Sequence, residues 1–533
     1  MTAIDWTILA VYLGAVIGLS AWLGRTHTSN TDYYVGGRKL PWWALALSIL
    51  ATQTSANSFI GIPAFVALRP GGGLTWLEYE LAVPLAMIAV MALLVPVFRR
   101  LELVSLYEYL ELRFDRRTRL VMSGVFLLSR GAATGIGVYA VSLVLEVCLG
   151  LPLWACILLM GGVTVVYDTL GGMSAVVWTD VIQLVVLVIG IVLCIVIALG
   201  EVGGIGGAFT AHDAARMVAI DPRTGIGDGS TTPFWGFLIG GFVLYVSYYG
   251  VDQSQAQRAL AAPTVDAAKR SLLVSGLARF PLTLLYVVMG LAIGAVYLQS
   301  EDLRAAVPHD KLDSLVPAFI LTKLPAGARG VLFAAVIAAA MSSLDSALNS
   351  LSAATMRDFV EPYVPKERHL RVSRWTTASW GAFITGSAFV VGDLSTTVVE
   401  GINTLGSVFY GPLLAAFASG ILDRRSTGPG VLAGVAAGVA VNLGLAIGAK
   451  DALFWMWWNV TGLVVGAVVT TLVSRAFPAQ TAAGGERAAV GRTWEEIRAA
   501  ERPWLTVYAV LVAYFLTMFL FAYFLGDLLR SFG

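Results

Sequence analysis

A row of polar side chains interrupts an otherwise apolar helical segment, AAAMSSLDSALNS at 338–350. Four residues follow the spacing i, i+3, i+4, i+7 and so share one helix face: Ser342, Asp345, Ser346 and Asn349. Hydroxyls and amides alone are explained by hydrogen bonds between helices, but a carboxylate at bilayer depth costs about 2.5–3.5 kcal/mol. Because hard cations bind hydroxyl, carboxylate and carbonyl oxygens, this stripe predicts a cation site.

Two further polar interruptions lie in apolar sequence, ILATQTSANSFIGIPAF at 49–65 and GGFVLYVSYYGVDQSQAQR at 240–258. Polar helices broken by Gly or Pro near the bilayer midplane are typical of transporter sites, where an unwound helix offers backbone carbonyls. The two interruptions lie five predicted spans apart. This spacing is the one expected of two inverted five-helix repeats, each beginning with a broken helix, although no repeat is visible residue by residue.

The elements that hold these residues are membrane helices. The 533-residue chain is 57% hydrophobic and 13% charged, with a mean hydropathy of +0.78, which excludes a soluble globular class. We predict one transmembrane transporter domain over 1–533, made of an extra N-terminal helix and loop (1–41), a repeat core (42–421) and additional C-terminal helices (422–533). The predicted spans number about fourteen: 4–24, 42–68, 74–98, 119–148, 151–170, 174–200, 233–257, 272–298, 329–357, 371–392, 396–421, 428–447, 453–475 and 505–527.

The basic residues predict the orientation of the spans. With both termini outside, 24 of the 35 Lys and Arg fall in cytoplasmic connections, including Arg258. Arg130 and Arg279 are the two predicted within spans, and we leave a structural and a functional role open for Arg279. Structural roles at helix ends are expected for Glu146, Asp168 and Asp252.

Several ordered motifs resemble the sodium:solute symporter family: DYYVGGRKLPWW, SLYEYLELRF, LGGMSAVVWTDVIQ, YYGVDQSQAQR and LPAGARGVLFAAVIAAAMSSLDSALNS. The form YYGVDQ resembles the branch with sialic acid, monocarboxylate and iodide carriers more than the sugar branch. The resemblance implies an all-α polytopic membrane protein with the LeuT-like inverted repeat of two five-helix bundles.

The resemblance also implies sodium ligands. The main sodium ion would be bound by backbone carbonyls of Ala51, Thr54 and Ala339 and by the hydroxyls of Ser342 and Ser343.

A second sodium site would be formed by Asp180, Ser342, Asp345 and Ser346. Position 345 is often Ser or Thr in the family, so Asp345 leaves three alternatives: a tighter sodium site, a protonated acid, or a salt bridge with Arg279 or another base. We favour the second sodium, and with it two sodium ions per substrate.

For the substrate, the resemblance implies Ser55, Ser58, Glu78, Arg130 and Tyr245, with Tyr248 as an inner gate. A guanidinium binds a carboxylate in a bidentate manner, which suits Arg130 to an anionic solute. The alternative is that Arg130 pairs with Glu78 and has no substrate role.

Together these features predict a sodium-coupled symporter for a small carboxylate-bearing solute, such as a sialic acid or a monocarboxylate. It would be a multi-pass protein of the cell membrane, in a bacterium the inner membrane. Its expected partners are sodium ions, a small organic solute and the lipid bilayer, and no nucleic acid. A proton-coupled or neutral-sugar symporter of the same fold stays open. An intramembrane enzyme is not expected, because all four histidines fall in polar connections and no HExxH motif occurs. A transporter-like sensor would normally need an appended signalling domain, and the sequence ends six residues after the last predicted span.

Overall fold

The computed structural model describes residues 1–227, 232–308, 311–390, 398–449, 452–477 and 494–531, and within them it contains helices and no β-strand. We number the principal helices of the first half α1 Ala3–Gly24, α2 Trp42–Gln53, α3 Ala56–Ala67, α4 Leu74–Arg100, α5 Tyr107–Arg113, α6 Arg116–Leu149, α7 Leu153–Glu201, α8 Gly236–Gly250 and α9 Gln253–Ala261. Those of the second half are α10 Val265–Gln299, α11 Ala328–Thr355, α12 His369–Ala388, α13 Val398–Leu422, α14 Gly428–Gly448, α15 Trp457–Ala476, α16 Trp494–Glu501 and α17 Leu505–Arg530.

Ten helices of the described residues are long and apolar enough to cross a membrane, or eleven if the bent pair α2 and α3 is one span. The 49 residues of α7 would reach about 73 Å if straight, more than twice the thickness of a bilayer core. A left-handed backbone at Gly172 (φ 50°) breaks this helix between the predicted spans 151–170 and 174–200. A side chain there would collide with the carbonyl oxygen of Tyr33, so the break requires glycine. The predicted count of fourteen spans stays a prediction.

The predicted interruption of the second span is confirmed. Helix α2 ends at Gln53, α3 begins at Ala56, and the two are bent by 55°. Between them lie Thr54 and Ser55, and the Ser55 side chain caps α3 by accepting a hydrogen bond from the Ser58 amide. The break leaves carbonyl groups of the last turn of α2 and amides of the first turn of α3 without helical partners.

The seventh span is also interrupted, and its second part differs from expectation. Helix α8 ends at Gly250, and Asp252 caps α9, accepting hydrogen bonds from the amide (2.8 Å) and hydroxyl (2.5 Å) of Ser254. The helix-end role expected for Asp252 is therefore confirmed. All nine residues of α9 are buried despite their polar character. Arg258 was expected in a cytoplasmic connection, but it lies inside the protein with 1% of its surface exposed.

Two long helices enclose the break in the second span. Helix α10 packs closely along α3. This contact depends on glycine, because a side chain at Gly290 would collide with Pro63 and one at Gly294 with Ala67. On the other side, α11 belongs to a span whose most apolar stretch is 89% buried, so its polar stripe faces protein rather than lipid. The break is therefore held between α10 and α11 in the centre of the molecule.

The last helices are attached at the other end of α10. The buried Lys269 ammonium pairs with Glu501 of α16 and lies 5.1 Å from the ring of Trp504. Helix α16 begins at Trp494, directly after residues 478–493, which lie outside the described residues.

Candidate functional site

Three oxygen atoms predicted to bind sodium lie together beside the break. The Ser342 hydroxyl is 3.1 Å from the Ala51 carbonyl oxygen on α2 and 3.0 Å from the Ala339 carbonyl oxygen on its own helix. All three residues are at most 2% exposed. Helix C-terminal ends carry partial negative charge, and unwound carbonyls at such ends coordinate Na⁺ in transporters. These hydroxyl and carbonyl oxygens are therefore suitable ligands for a sodium ion.

The other two predicted sodium ligands lie nearby but face different partners. The Ser343 hydroxyl donates to the Thr52 carbonyl oxygen at 3.0 Å, so it also joins α11 to the last turn of α2. The Thr54 hydroxyl donates to the Leu50 carbonyl oxygen (2.7 Å) and accepts from Arg279 (3.1 Å). Within the described residues, no cluster of three or more His, Cys, Asp or Glu side chains is placed to hold a metal ion. Hydroxyl and carbonyl oxygens therefore make up the candidate cation site.

The second predicted sodium site contains a guanidinium group in this structure. Arg258 donates from Nη2 to Asp180 Oδ2 at 3.1 Å and to the Ser346 hydroxyl, and from Nε to the Ser48 hydroxyl at 2.8 Å. Asp180 and Arg258 are both essentially unexposed. The sequence left the base open as Arg279 or another residue, and Arg279 pairs with Glu80 instead. Of the three alternatives for this site, the geometry favours the salt bridge, with Arg258 as the base and Asp180 as the acid.

Asp345, whose carboxylate raised the question of a second cation, has hydroxyl partners. Its Oδ2 accepts from the Tyr167 hydroxyl at 2.7 Å and its Oδ1 from the Ser346 hydroxyl at 3.2 Å. The Ser346 hydroxyl also lies 2.9 Å from that of Thr52 on α2. Asp345 is thus connected through Ser346 to the guanidinium of Arg258 and to the same turn of α2 that contributes to the first site.

A cavity opens next to the first site. The space in it that water molecules could occupy has a volume of about 160 Å³. It is lined by both halves of the broken second span, by α4, α6, α8 and α11, and by these aromatic and polar side chains among others: Gln53, Ser55, Asn57, Ser58, Trp76, Tyr79, Arg130, Tyr245, Tyr248, Arg279, Ser343, Asn403 and Tyr410. Four of the five predicted substrate residues therefore lie in one cavity, together with the predicted gate Tyr248.

Arg130 is the cation with free hydrogen-bonding capacity in this cavity. Its closest acidic group is Asp252, at 3.5 Å, and its Nε has no hydrogen-bond partner although it is buried. The predicted alternative, a pair with Glu78, does not occur. Asp252 caps α9 with its other oxygen, so it is held in place while Arg130 faces the cavity.

The substrate role predicted for Glu78 is not supported by the geometry. Glu78 does not line the cavity; its Oε1 accepts a hydrogen bond from the backbone amide of Asp221 at 3.1 Å. Two residues along the helix, Glu80 points to the opposite side and pairs with Arg279 through two hydrogen bonds of 3.0 and 2.8 Å. No sequence pattern distinguishes Glu80 from Glu78, because both acids occur in the same short segment and only packing shows which partner each one contacts.

Tyr245 and Tyr248 connect the cavity to its surroundings. The Tyr245 hydroxyl donates to Glu80 at 3.1 Å, while Tyr248 accepts from the Gln255 amide of α9 at 3.0 Å. Tyr248 therefore lies between the cavity and the buried helix α9, where a gate would be needed. Tyr167, Arg258 and Glu80 were not assigned roles from the sequence, since their partners are distant in the chain.

The comparison with known proteins agrees with this arrangement. The sequence profile of the sodium:solute symporter family matches residues 33–438. The human sodium/iodide cotransporter is 34% identical over 462 residues, which is 84% of this chain and 70% of that protein. The sodium/sialic acid symporter NanT of Aliivibrio fischeri is 29% identical over 481 residues, which is 89% of this chain and 93% of that protein.

Solved structures give the same result. A substrate-bound, outward-open structure of a Na⁺-coupled sialic acid symporter superposes with a TM-score of 0.80 at 26% identity, covering 90% of this chain and 100% of the other. A nucleobase-cation-symport-1 family transporter matches with a TM-score of 0.57 at 13% identity, over 87% of this chain and 99% of the other, and so shares the fold alone. These neighbours are LeuT-like, and the relatives are transporters rather than enzymes. This chain, a multi-pass membrane protein, belongs to the sodium:solute symporter family.

Proposed function

We propose that this protein couples the entry of sodium to the uptake of a small carboxylate-bearing organic solute by alternating access. The observation that carries the proposal is the contact of the Ser342 hydroxyl with the Ala51 carbonyl oxygen, next to a cavity that contains Arg130. One cation bound there would join α2 to α11 while the cavity beside it binds the solute. Each ligand would then raise the affinity for the other by the same factor.

The main sodium ion is assigned to Ala51, Thr54, Ala339, Ser342 and Ser343. Three of these oxygens already converge, and Ser343 closes the same helix pair through Thr52. The carbonyl of Thr54 lies in the break, where it has no helical partner to give up.

The second predicted sodium site, at Asp180, Ser342, Asp345 and Ser346, is restricted by Arg258. A sodium ion between Asp180 and Ser346 would have to displace the guanidinium, which donates to both. We therefore propose that this site opens only in conformations in which α9 has withdrawn Arg258.

The substrate carboxylate is assigned to Arg130, with the hydroxyls of Ser55 and Ser58 beside it. The N-terminal end of α3 faces the same cavity, and its partial positive charge favours an anion. Tyr245 forms part of the wall and Tyr248 the gate. Sialic acids and monocarboxylates are the candidate classes, because both carry a carboxylate and relatives are named for both. A neutral sugar would offer the Arg130 guanidinium no anionic group beyond the Asp252 carboxylate at 3.5 Å.

The proposed topology has fourteen crossings with both termini outside, the repeat core at 42–421, and a bacterial inner membrane as the location. Four basic residues of the cytoplasmic set are buried, namely Arg99, Arg113, Arg258 and Lys269, and the other 20 of the 35 Lys and Arg still favour this orientation.

The experiment is uptake by purified protein in vesicles, with labelled N-acetylneuraminic acid, pyruvate, lactate, glucose and proline tested in parallel. We expect uptake of a carboxylate solute with an inward sodium gradient and none when choline or potassium replaces sodium. Arg130→Lys should reduce uptake strongly, because a point charge does not replace the planar fork. Undiminished uptake without sodium, or driven by a proton gradient alone, would establish the proton-coupled alternative, and good glucose uptake by Arg130→Gln would establish the neutral-sugar one.

A further inference from the structure

A fully buried ion pair lies beside the cavity and is not required by the proposed sodium or substrate contacts. Arg279 and Glu80 are 3% and 0% exposed, and the guanidinium binds the carboxylate through both Nε and Nη2. This is the fork-to-carboxylate geometry in which a pair is fixed in distance and in orientation.

The remaining hydrogen bonds of the pair extend to three other positions. Arg279 Nη1 donates to the Thr54 hydroxyl in the break of the second span, at 3.1 Å. Glu80 accepts from the Tyr245 hydroxyl at 3.1 Å and from the Thr283 hydroxyl at 3.1 Å. One ion pair therefore contacts the break, α4, α8 and α10 at a single point.

These four elements occupy matching places in the two predicted repeats. The broken second span and α4 begin the first repeat, and α8 and α10 begin the second. Thr54 belongs to the proposed sodium site, and Tyr245 belongs to the cavity wall. The pair thus forms a hydrogen-bonded connection between the sodium-binding break and the substrate cavity, from Thr54 through Arg279 and Glu80 to Tyr245.

Arg279 is not equivalent to Arg130, although both line the cavity. The Arg279 guanidinium already binds Glu80 and Thr54. Arg130 instead has a longer contact of 3.5 Å with Asp252 and a contact with Tyr248, and its Nε has no partner. A substrate carboxylate would have to compete with Glu80 for Arg279 but would find Arg130 available.

From these contacts we infer that the Glu80–Arg279 pair is a positioning pair, which transmits sodium binding at the break to the substrate cavity. Bound sodium would hold Thr54 in the break in one position. Arg279, which donates to Thr54, would then hold Glu80, and Glu80 would orient Tyr245 at the cavity. This inference rests on the proposed sodium site, and its test separates the two.

The test uses sodium alone as the ligand and an Asn57→Cys variant as the parent, because Asn57 lines the cavity and the three native cysteines are buried. Two quantities are measured: thermal stabilisation by sodium, which reports binding, and the rate of thiol labelling at position 57, which reports the cavity. We expect sodium to change the labelling rate of the parent at least about fivefold, the lower end of usual allosteric coupling. In Glu80→Gln/Arg279→Gln, which leaves no unpaired charge, sodium should still stabilise the protein but change labelling less than about twofold.

The matched control is Lys269→Gln/Glu501→Gln, which removes another buried pair at the far end of α10 and should label like the parent. If the double Gln variant does not fold, Thr283→Val removes one hydrogen bond to Glu80 and should reduce the sodium effect on labelling about twofold. Absence of sodium stabilisation in the parent would overturn the proposed sodium site. Sodium binding with no labelling change in the parent, or an undiminished change in the double Gln variant or in Thr283→Val, would overturn the inference about the pair.

Discussion

The two broken spans stand at the same place in their predicted repeats but present different groups to the interior. The break between α2 and α3 offers carbonyl oxygens and hydroxyls, as at Ala51 and Thr54, and leaves a place for a cation. The break between α8 and α9 is closed by the Asp252 cap, and the buried helix after it inserts the cationic side chain of Arg258. The first break is suited to bind a free cation, whereas the second break places a cation that is part of the protein, the Arg258 guanidinium.

This difference also explains how the buried carboxylates of Asp180 and Asp345 are tolerated. Two buried carboxylates repel each other unless a cation or a proton compensates them. Asp180 obtains a guanidinium from the second break, and Asp345 obtains hydroxyl donors from Tyr167 and Ser346. The second break thus supplies a positive charge from Arg258, whereas at the first break the positive charge would come from sodium.

The largest predicted effect comes from removing the tethered cation. Arg258→Gln leaves Asp180 buried without its counter-charge, and breaking one member of a buried pair costs about 3–5 kcal/mol. We expect severe loss of folded protein in detergent, measured by size-exclusion chromatography and thermal unfolding. Arg258→Gln/Asp180→Asn should recover most of that stability. A single variant as stable as the unmodified protein would show that the pair does not hold the second break.

A smaller effect is predicted from the acid that caps the second break. Asp252→Asn keeps an oxygen for the cap but removes the charge 3.5 Å from Arg130. Without the competing carboxylate of Asp252, the Arg130 guanidinium should then bind the transported carboxylate several-fold more tightly, equivalent to about 1 kcal/mol. The measurement is solute affinity by isothermal titration at saturating sodium. Weaker binding in Asp252→Asn would indicate that Asp252, rather than Arg130 alone, orients the solute.

The smallest predicted effect concerns the cap of the first break. Ser55 accepts a hydrogen bond of 3.4 Å from the Ser58 amide, which is long, so Ser55→Gly should cost no more than a few tenths of a kcal/mol of stability. Any substantial loss of transport in that variant would then come from the cavity, which Ser55 lines, rather than from the helix. Equal losses of stability and transport would contradict this separation.

The residues of the first site were accessible to sequence reasoning because their signal is local. The stripe at Ser342 and Asp345 and the Gly/Pro interruption after Thr54 can be read along the chain, and the resemblance then assigns partners to them. Arg258 could not be found in this way. Counting basic residues treats each arginine near a span end as solvated, and only the packing of α9 shows that this one is buried.

The ion pair of Glu80 could not be predicted from the sequence for a related reason. Residues two apart on a helix point in nearly opposite directions, so Glu78 and Glu80 contact different parts of the molecule: Glu78 accepts from the Asp221 amide and Glu80 pairs with Arg279. Arg279, the ion-pair partner of Glu80, lies 199 residues away in the sequence. No property of the segment around 78–80 contains that information.

Sodium is expected to join the first break to α11, and thermal unfolding of purified protein tests this directly. A ligand that binds the folded state at 100 times its Kd adds about 2.7 kcal/mol of stability. Sodium should raise the Tm of the unmodified protein and of Ser350→Ala, a control that removes a buried hydroxyl bonded to its own helix. Ser342→Ala should need at least about tenfold more sodium for the same rise, equivalent to about 1.4 kcal/mol. Equal stabilisation by potassium, or an unchanged sodium requirement in Ser342→Ala, would contradict the account.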